Sequence, residues 1–189
     1  MSDWATVKLT EARQVAALIG TDEDDWPVTS VGVRDRYLAL RQAGALATAV
    51  EYLGHALPRR EAVGWAGRLL DEESRRIDLS RRSRLALDSA MRWIGEPTDA
   101  HRHAARDAAE AIGKPVPERF LGLAVFYSGG SVGGAGAPLT PPPHACTRFA
   151  VSAIEQAAYR SPDADAFFRR ALDLGERVAE RGMAALAES

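Results

Sequence analysis

The chain has one cysteine, Cys146, and two lysines, Lys8 and Lys114, among its 189 residues. A single thiol excludes an intrachain disulfide and any zinc site built on several cysteines, and it suits a reducing compartment. The scarcity of lysine leaves nearly all positive charge on arginine. With abundant alanine and glycine, that bias reads as GC-rich bacterial coding rather than as a function. Charge of one sign is also missing: 24 basic against 26 acidic residues give a formal net charge of -2, short of the basic excess of a general nucleic-acid binder. No window approaches the roughly 18 consecutive apolar residues of a membrane span. The opening residues Met1 to Lys8 lack a basic stretch followed by an apolar one. Cytoplasmic residence without membrane insertion is the expectation. Alternating β-branched runs flanked by turn signals are absent, and so is any fixed repeat period.

What is present is helical periodicity. With 46% hydrophobic and 26% charged residues, the composition suits one folded domain over residues 1–189. Its pattern predicts an all-α helical bundle or irregular array of about eight or nine helices. Residues 1–32 hold a first helix, starting at Thr10-Glu11 and stopped by Gly20, and an acidic connector, Asp22 to Pro27. Val33, Tyr37 and Leu40 form one stripe, and Leu46, Val50, Leu53 and Leu57 form the next. Pro58 opens a third helix with Ala62, Val63, Ala66, Leu69 and Leu70 facing inward. Asp71 with Arg75, and Glu72 with Arg76, have the favourable order for exposed ion pairs. Ser80 and Thr98 are N-cap candidates, and the second of these helices carries a small stripe, Ala104, Ala105, Ala108 and Ile112, that lets a neighbour approach closely. The helix from Pro117 to Tyr127 is apolar nearly all round and therefore central. Residues 128–143 then form a long Gly/Pro-rich loop, a length that marks functional or mobile segments. Two helices follow, the last capped by Ser161.

Reaction chemistry is weakly supported. Glycine-rich loops cradle phosphates when a strand precedes them and Gly-Lys-Ser/Thr ends them. This loop has neither, and Pro141 to Pro143 remove the amide donors. His101 and His103 point about 200° apart on a helix and cannot chelate one metal. Glu51 and His55 have metal-ligand spacing but need ligands from elsewhere. His144 and Cys146 sit near a helix start, which favours a thiolate, yet no further Asn, His or Asp completes a nucleophilic constellation. The sequence therefore names no catalytic residue, no metal site and no cofactor. Arg59 and Arg60 are different, since two cations crowd a helix N-terminus where the dipole disfavours them. Either Glu61 offsets them and both extend into solvent, or they answer to carboxylates on a neighbouring helix or partner, with Trp65 one turn along as an apolar anchor.

The stretch Leu57-Pro58-Arg59-Arg60-Glu61-Ala62-Val63-Gly64-Trp65-Ala66 resembles the Leu-Pro-Arg-Arg-Glu-Ala-Val-x-Trp-Ala segment of a functionally uncharacterised proteobacterial family of small helical proteins. Phe126-Tyr127-Ser128-Gly129-Gly130-Ser131, followed by Pro141-Pro142-Pro143, is similar to that family's second recurrent feature. Gly64 departs from it, standing where a bulkier residue is usual. The resemblance implies genes beside type VI secretion components and no activity. On these grounds the expected function is a non-enzymatic protein–protein interaction module, an adaptor or chaperone. Its partner would be a secretion component or effector, and the face presented would hold Arg59, Arg60, Trp65, Gly129, Gly130 and Ser131. The alternative is a small-molecule-binding protein or enzyme with an interhelical pocket under the Gly/Pro loop, using His101, His103, His144 or Cys146.

Overall fold

Local signals set most helix boundaries. The computed structural model describes residues 4–20, 30–133 and 137–187. Among these the chain is all-α, as its periodicity predicts, with one isolated antiparallel bridge between Glu11 and Gly32 and no strand. The helices are α1 (Ala12–Ile19), α2 (Val33–Gln42), α3 (Leu46–Ala56), α4 (Arg59–Ser74), α5 (Arg81–Gly95), α6 (Asp99–Glu110), α7 (Pro117–Phe126), α8 (Ala145–Arg160) and α9 (Ala164–Arg181), closed by a 3-10 turn, Gly182–Leu186. The acidic connector, Asp22 to Pro27, lies outside the described residues.

Ser80 and Thr98 cap α5 and α6 as predicted, accepting the amides of Ser83 and His101 at 3.1 and 3.2 Å. Each such cap contributes about 1 kcal/mol. Two starts differ. Glu11 rather than Thr10 is the N-cap of α1, and Gln14 reaches back to the amides of both. Asp163 rather than Ser161 caps α9, accepting from the Ala166 amide at 2.8 Å, because the helix begins at Ala164, two residues later than a Ser161 cap requires. Asp71 pairs with Arg75 at 2.7 Å. Glu72 does not reach Arg76, since α4 has ended at Arg75, and pairs instead with Arg68 at 2.8 Å.

One core cluster draws buried side chains from α1 through α9. α7 sits at its centre, packed against α4, α5, α6 and α8. Its approach to α6 is close because Gly122 faces Ala105 and Ala109: a Cβ on Gly122 would stand 2.7 Å from the Ala105 carbonyl oxygen and 2.7 Å from the Ala109 Cβ. The small stripe of α6 is real but rotated from the expected one, since Ala104 is exposed while Arg102, Ala105, Ala108 and Ala109 are buried. On the other side of the core, Arg41 ties α2 to α9 through Asp173 at 2.7 Å and Glu176 at 2.6 Å.

Trp65 is an interior residue, which corrects its reading as a surface anchor. It is 0% exposed. Its indole Nε1 donates to the Ala171 carbonyl on α9 at 2.8 Å, and its ring occupies the space that Gly175 leaves open. An indole this enclosed bolts α4 to α9 and has no face left for a partner. Gly64, next to it, is covered by Met183 and Leu186 of the C-terminal turn, so the position where the resembling family carries a bulkier residue is no surface here.

Candidate functional site

The start of α4 meets the Gly/Pro loop, and two arginines hold that loop in place. Arg59, in the first turn of α4, donates from Nη1 to the Ser128 carbonyl at 3.5 Å and from Nη2 to the Pro143 carbonyl at 3.3 Å. It thereby ties the loop's first residue to its last proline. Neither of the two readings open for Arg59 holds: it is not simply solvated, and its partners are carbonyls rather than carboxylates.

Arg102 on α6 does more of the holding. Its side chain is 5% exposed and lies against the Asp99 carboxylate, Nη2 to Oδ1 at 2.7 Å. Nη1 donates to the Phe126 carbonyl at 2.9 Å and Nη2 to the Ser131 carbonyl at 3.1 Å, while the guanidinium stacks 5.0 Å from the Phe126 ring centroid. A buried guanidinium needs nearly all its donors met, and this fork meets them with a carboxylate and two backbone carbonyls. The Arg102 hydrogen bond holds the Asp99 carboxyl below the usual carboxylate range. Gly130 runs against this guanidinium at φ 65°. A Cβ there would lie 2.7 Å from Nη2 in a backbone region that disfavours side chains. Ser131 closes the loop on itself: its Oγ accepts the amides of Gly133 at 3.2 Å and Leu139 at 3.0 Å, and the Val132 amide donates to the Leu139 carbonyl at 2.8 Å.

Between the loop and the helices lies a cleft of about 290 Å³ lined by Arg60, Trp93, Asp99, Arg102 and Ser128 to Gly130. The structure thus brings Arg60, Gly129 and Gly130 together, with Arg59 and Ser131 beside them as loop supports, and leaves Trp65 out. Arg60 is exposed and makes no ion pair with the described residues. Leu139, on the descending arm of the loop, is 61% exposed. Sequence reasoning passed over Arg102. Its signal was an arginine in register with Ala105 and Ala109 on the apolar stripe, with Asp99 three residues earlier.

The polar groups of the alternative reading do not converge. None of His101, His103, His144 and Cys146 lines this cleft. His101 faces the Glu96 carbonyl at 2.9 Å, and His103 packs edge-on to Phe126. Cys146 is fully buried with its thiol against the Arg59 carbonyl at 3.9 Å. Burial pushes that thiol up to about 12 against the opposing charge of Arg59, which disfavours the thiolate expected at a helix start. His55 turns its Nδ1 to the backbone carbonyl of Glu51 at 2.9 Å, and no group of three His, Cys, Asp or Glu suited to a metal occurs among the described residues. No described helix is long and apolar enough to cross a membrane. Comparison with known proteins matches residues 37–179 to the model of a family of unknown function (DUF6931). No curated protein and no solved structure matches the chain.

Proposed function

Because the chain belongs to DUF6931, a family that carries no assigned activity, we propose from its surface geometry and its sequence that it is a non-enzymatic protein-interaction module of the cytoplasm, an adaptor or chaperone. The observation that carries this reading is the tethered loop. Arg59 and Arg102 fix the Gly/Pro segment at both ends, Leu139 stands exposed among its prolines, and Arg60, exposed and without an ion pair among the described residues, lines the cleft under the start of the same loop. Proline-rich segments lose little conformational freedom on docking, and a loop that presents an exposed leucine on one arm and adjoins an exposed arginine at its start fits a partner surface with an apolar patch and an acidic group. The similarity of Leu57 to Ala66 and of Phe126 to Ser131 to a family encoded beside type VI secretion genes directs the first search to secretion components and their effectors.

The test is co-purification from the native cell with the wild-type chain and with L139D and R60E, both at exposed positions. A specific protein should be recovered with the wild type and lost, by at least about tenfold, with the double variant, since one apolar anchor and one charge each contribute on the order of 1–2 kcal/mol at an interface. Equal recovery by a double variant of unchanged helicity would remove this face from consideration.

A further inference from the structure

A second, larger cleft lies away from the loop and shares no residue with the one beneath it. Its volume is about 860 Å³, within the range of sites that enclose small organic ligands. Ile77 and Leu79, from the segment joining α4 to α5, and Ile112 and Val116, from the segment joining α6 to α7, give it apolar walls. Two charged side chains from different helices, Glu118 on α7 and Arg160 at the end of α8, also line it.

That pair is incomplete. Glu118 is 1% exposed, and its Oε1 accepts from Arg160 Nη1 at 2.7 Å. Its Oε2 is buried with no partner among the described residues, and so are Nε and Nη2 of Arg160, a side chain that is otherwise 27% exposed. A buried ion pair kept only for structure satisfies its remaining lone pairs and protons, because leaving them bare in a medium of low dielectric is costly. Here one acceptor and one guanidinium edge stay open in a pair that lines a cleft. The edge Nε–Nη2 is the side of the fork that offers two parallel donors to a carboxylate, phosphate or carbonyl.

The rim adds an excess of positive charge. Arg81, Arg82 and Lys114 are exposed, line the cleft and make no ion pair with the described residues. Arg81 and Arg82 also form the first turn of α5, where the Ser80 hydroxyl takes the Ser83 amide and leaves the two preceding amides open to an anion. Asp78 lines the same cleft, but three cations outnumber it.

We propose that this cleft binds a small organic anion. Its apolar body would lie between Ile77, Leu79, Ile112 and Val116, its negative group would meet the start of α5 with Arg81, Arg82 and Lys114, and an N–H or O–H of the ligand would donate to the open oxygen of Glu118. The site is independent of the partner face at Arg60 and stands or falls separately from it.

Anilinonaphthalene sulfonate combines these features, with a sulfonate, fused apolar rings and one N–H, and serves as the probe. Titrated into the full chain it should saturate at one molecule per chain with enhanced fluorescence. The double variant R81E/R82E should weaken it by at least about tenfold, the effect of removing one charge-assisted hydrogen bond. The uncharged phenylnaphthylamine, with the same body and no sulfonate, should change by less than about twofold in that variant, whereas V116W, which fills the cleft, should weaken both probes. E118Q should weaken both probes, since each carries the N–H that the carboxylate accepts, and unchanged affinity of both in a folded E118Q overturns the assignment. Because E118Q disturbs a buried pair, near-ultraviolet circular dichroism checks its folding, and the other variants carry the test if it unfolds. Absence of saturable binding overturns the assignment. So does unchanged sulfonate affinity in R81E/R82E or V116W, and so does an equal loss of charged and uncharged probes in R81E/R82E, which would leave only a plain apolar groove.

Discussion

At the scale of single residues, two buried polar side chains show how environment sets their chemistry. Arg102 is enclosed, yet each arm of its guanidinium finds a partner, so its charge is retained as the tie between α6 and the loop. His55 is enclosed without that compensation. It is 3% exposed, its Nδ1 faces the Glu51 carbonyl at 2.9 Å and its Nε2 has no partner among the described residues. Burial pushes its pKa below the ordinary 6.5; the Glu51 backbone bond and carboxylate oppose the shift, and Arg148 and His144 add to it. The folded chain therefore takes up this proton only at a pH lower than the unfolded chain does. Stability from this group is whole above pH 6.5 and is lost as pH falls through the depressed folded value. Urea midpoints measured across this range should fall with pH in the wild type and fall less steeply in H55Q. An identical slope in the two proteins would assign the acid sensitivity to other groups.

At the scale of elements, capping and close packing account for most of the helical array. Ser80 and Thr98 start α5 and α6 through side-chain bonds within one turn, and caps of this kind are legible in a sequence because the bond is local, though at α9 Asp163 took the place of the expected Ser161. The packing of α6 on α7 depends instead on which small residues meet. Gly122 against Ala105 and Ala109 leaves no room for a methyl group, and the nearest atom is backbone, which yields less than a flexible side chain. G122A should lower unfolding stability by about 1–3 kcal/mol, the usual cost of overpacking a tight interface, measured by urea denaturation. The offsetting gain in helix propensity is smaller, about 1 kcal/mol, so a more stable G122A would show that α6 and α7 can move apart freely. Gly64 differs: the atoms over it are the ends of the Met183 and Leu186 side chains, so a bulkier residue there would first have to move those two side chains.

At the scale of the whole molecule, the core is wider than the family match. Residues 37–179 match DUF6931, but Trp4 stacks edge-on to Tyr37 at 5.0 Å, and Ala12 and Val15 are 2% and 0% exposed within the common core. The Thr6 hydroxyl also donates to the Ala179 carbonyl at 2.9 Å, near the end of α9. Removing the segment through Gly20 strips the buried carbons of Ala12 and Val15, which at ~0.8 kcal/mol per buried methylene amounts to roughly 3 kcal/mol. The truncated chain should unfold at a correspondingly lower urea concentration in one transition. An unchanged midpoint would make the segment a surface appendage.

The order of the helices, the inward faces of most of them, the central position of α7 and the poverty of reaction signatures were legible in the sequence, because each rests on 3.6-residue periodicity or on interactions within a turn. The loop also stood out through its glycines and prolines. Tertiary structure alone decided the roles of the arginines. Arg59 turns to the loop carbonyls while Arg60, its neighbour, makes no ion pair with the described residues, and Arg102 enters an alanine face to reach carbonyls 24 and 29 residues away. Trp65 faces α9 rather than solvent, and Glu118 meets Arg160 across 42 residues. Periodicity reports which face of a helix is apolar; it does not report which helix covers that face, nor which charged side chain finds its partners only once the chain has closed on itself.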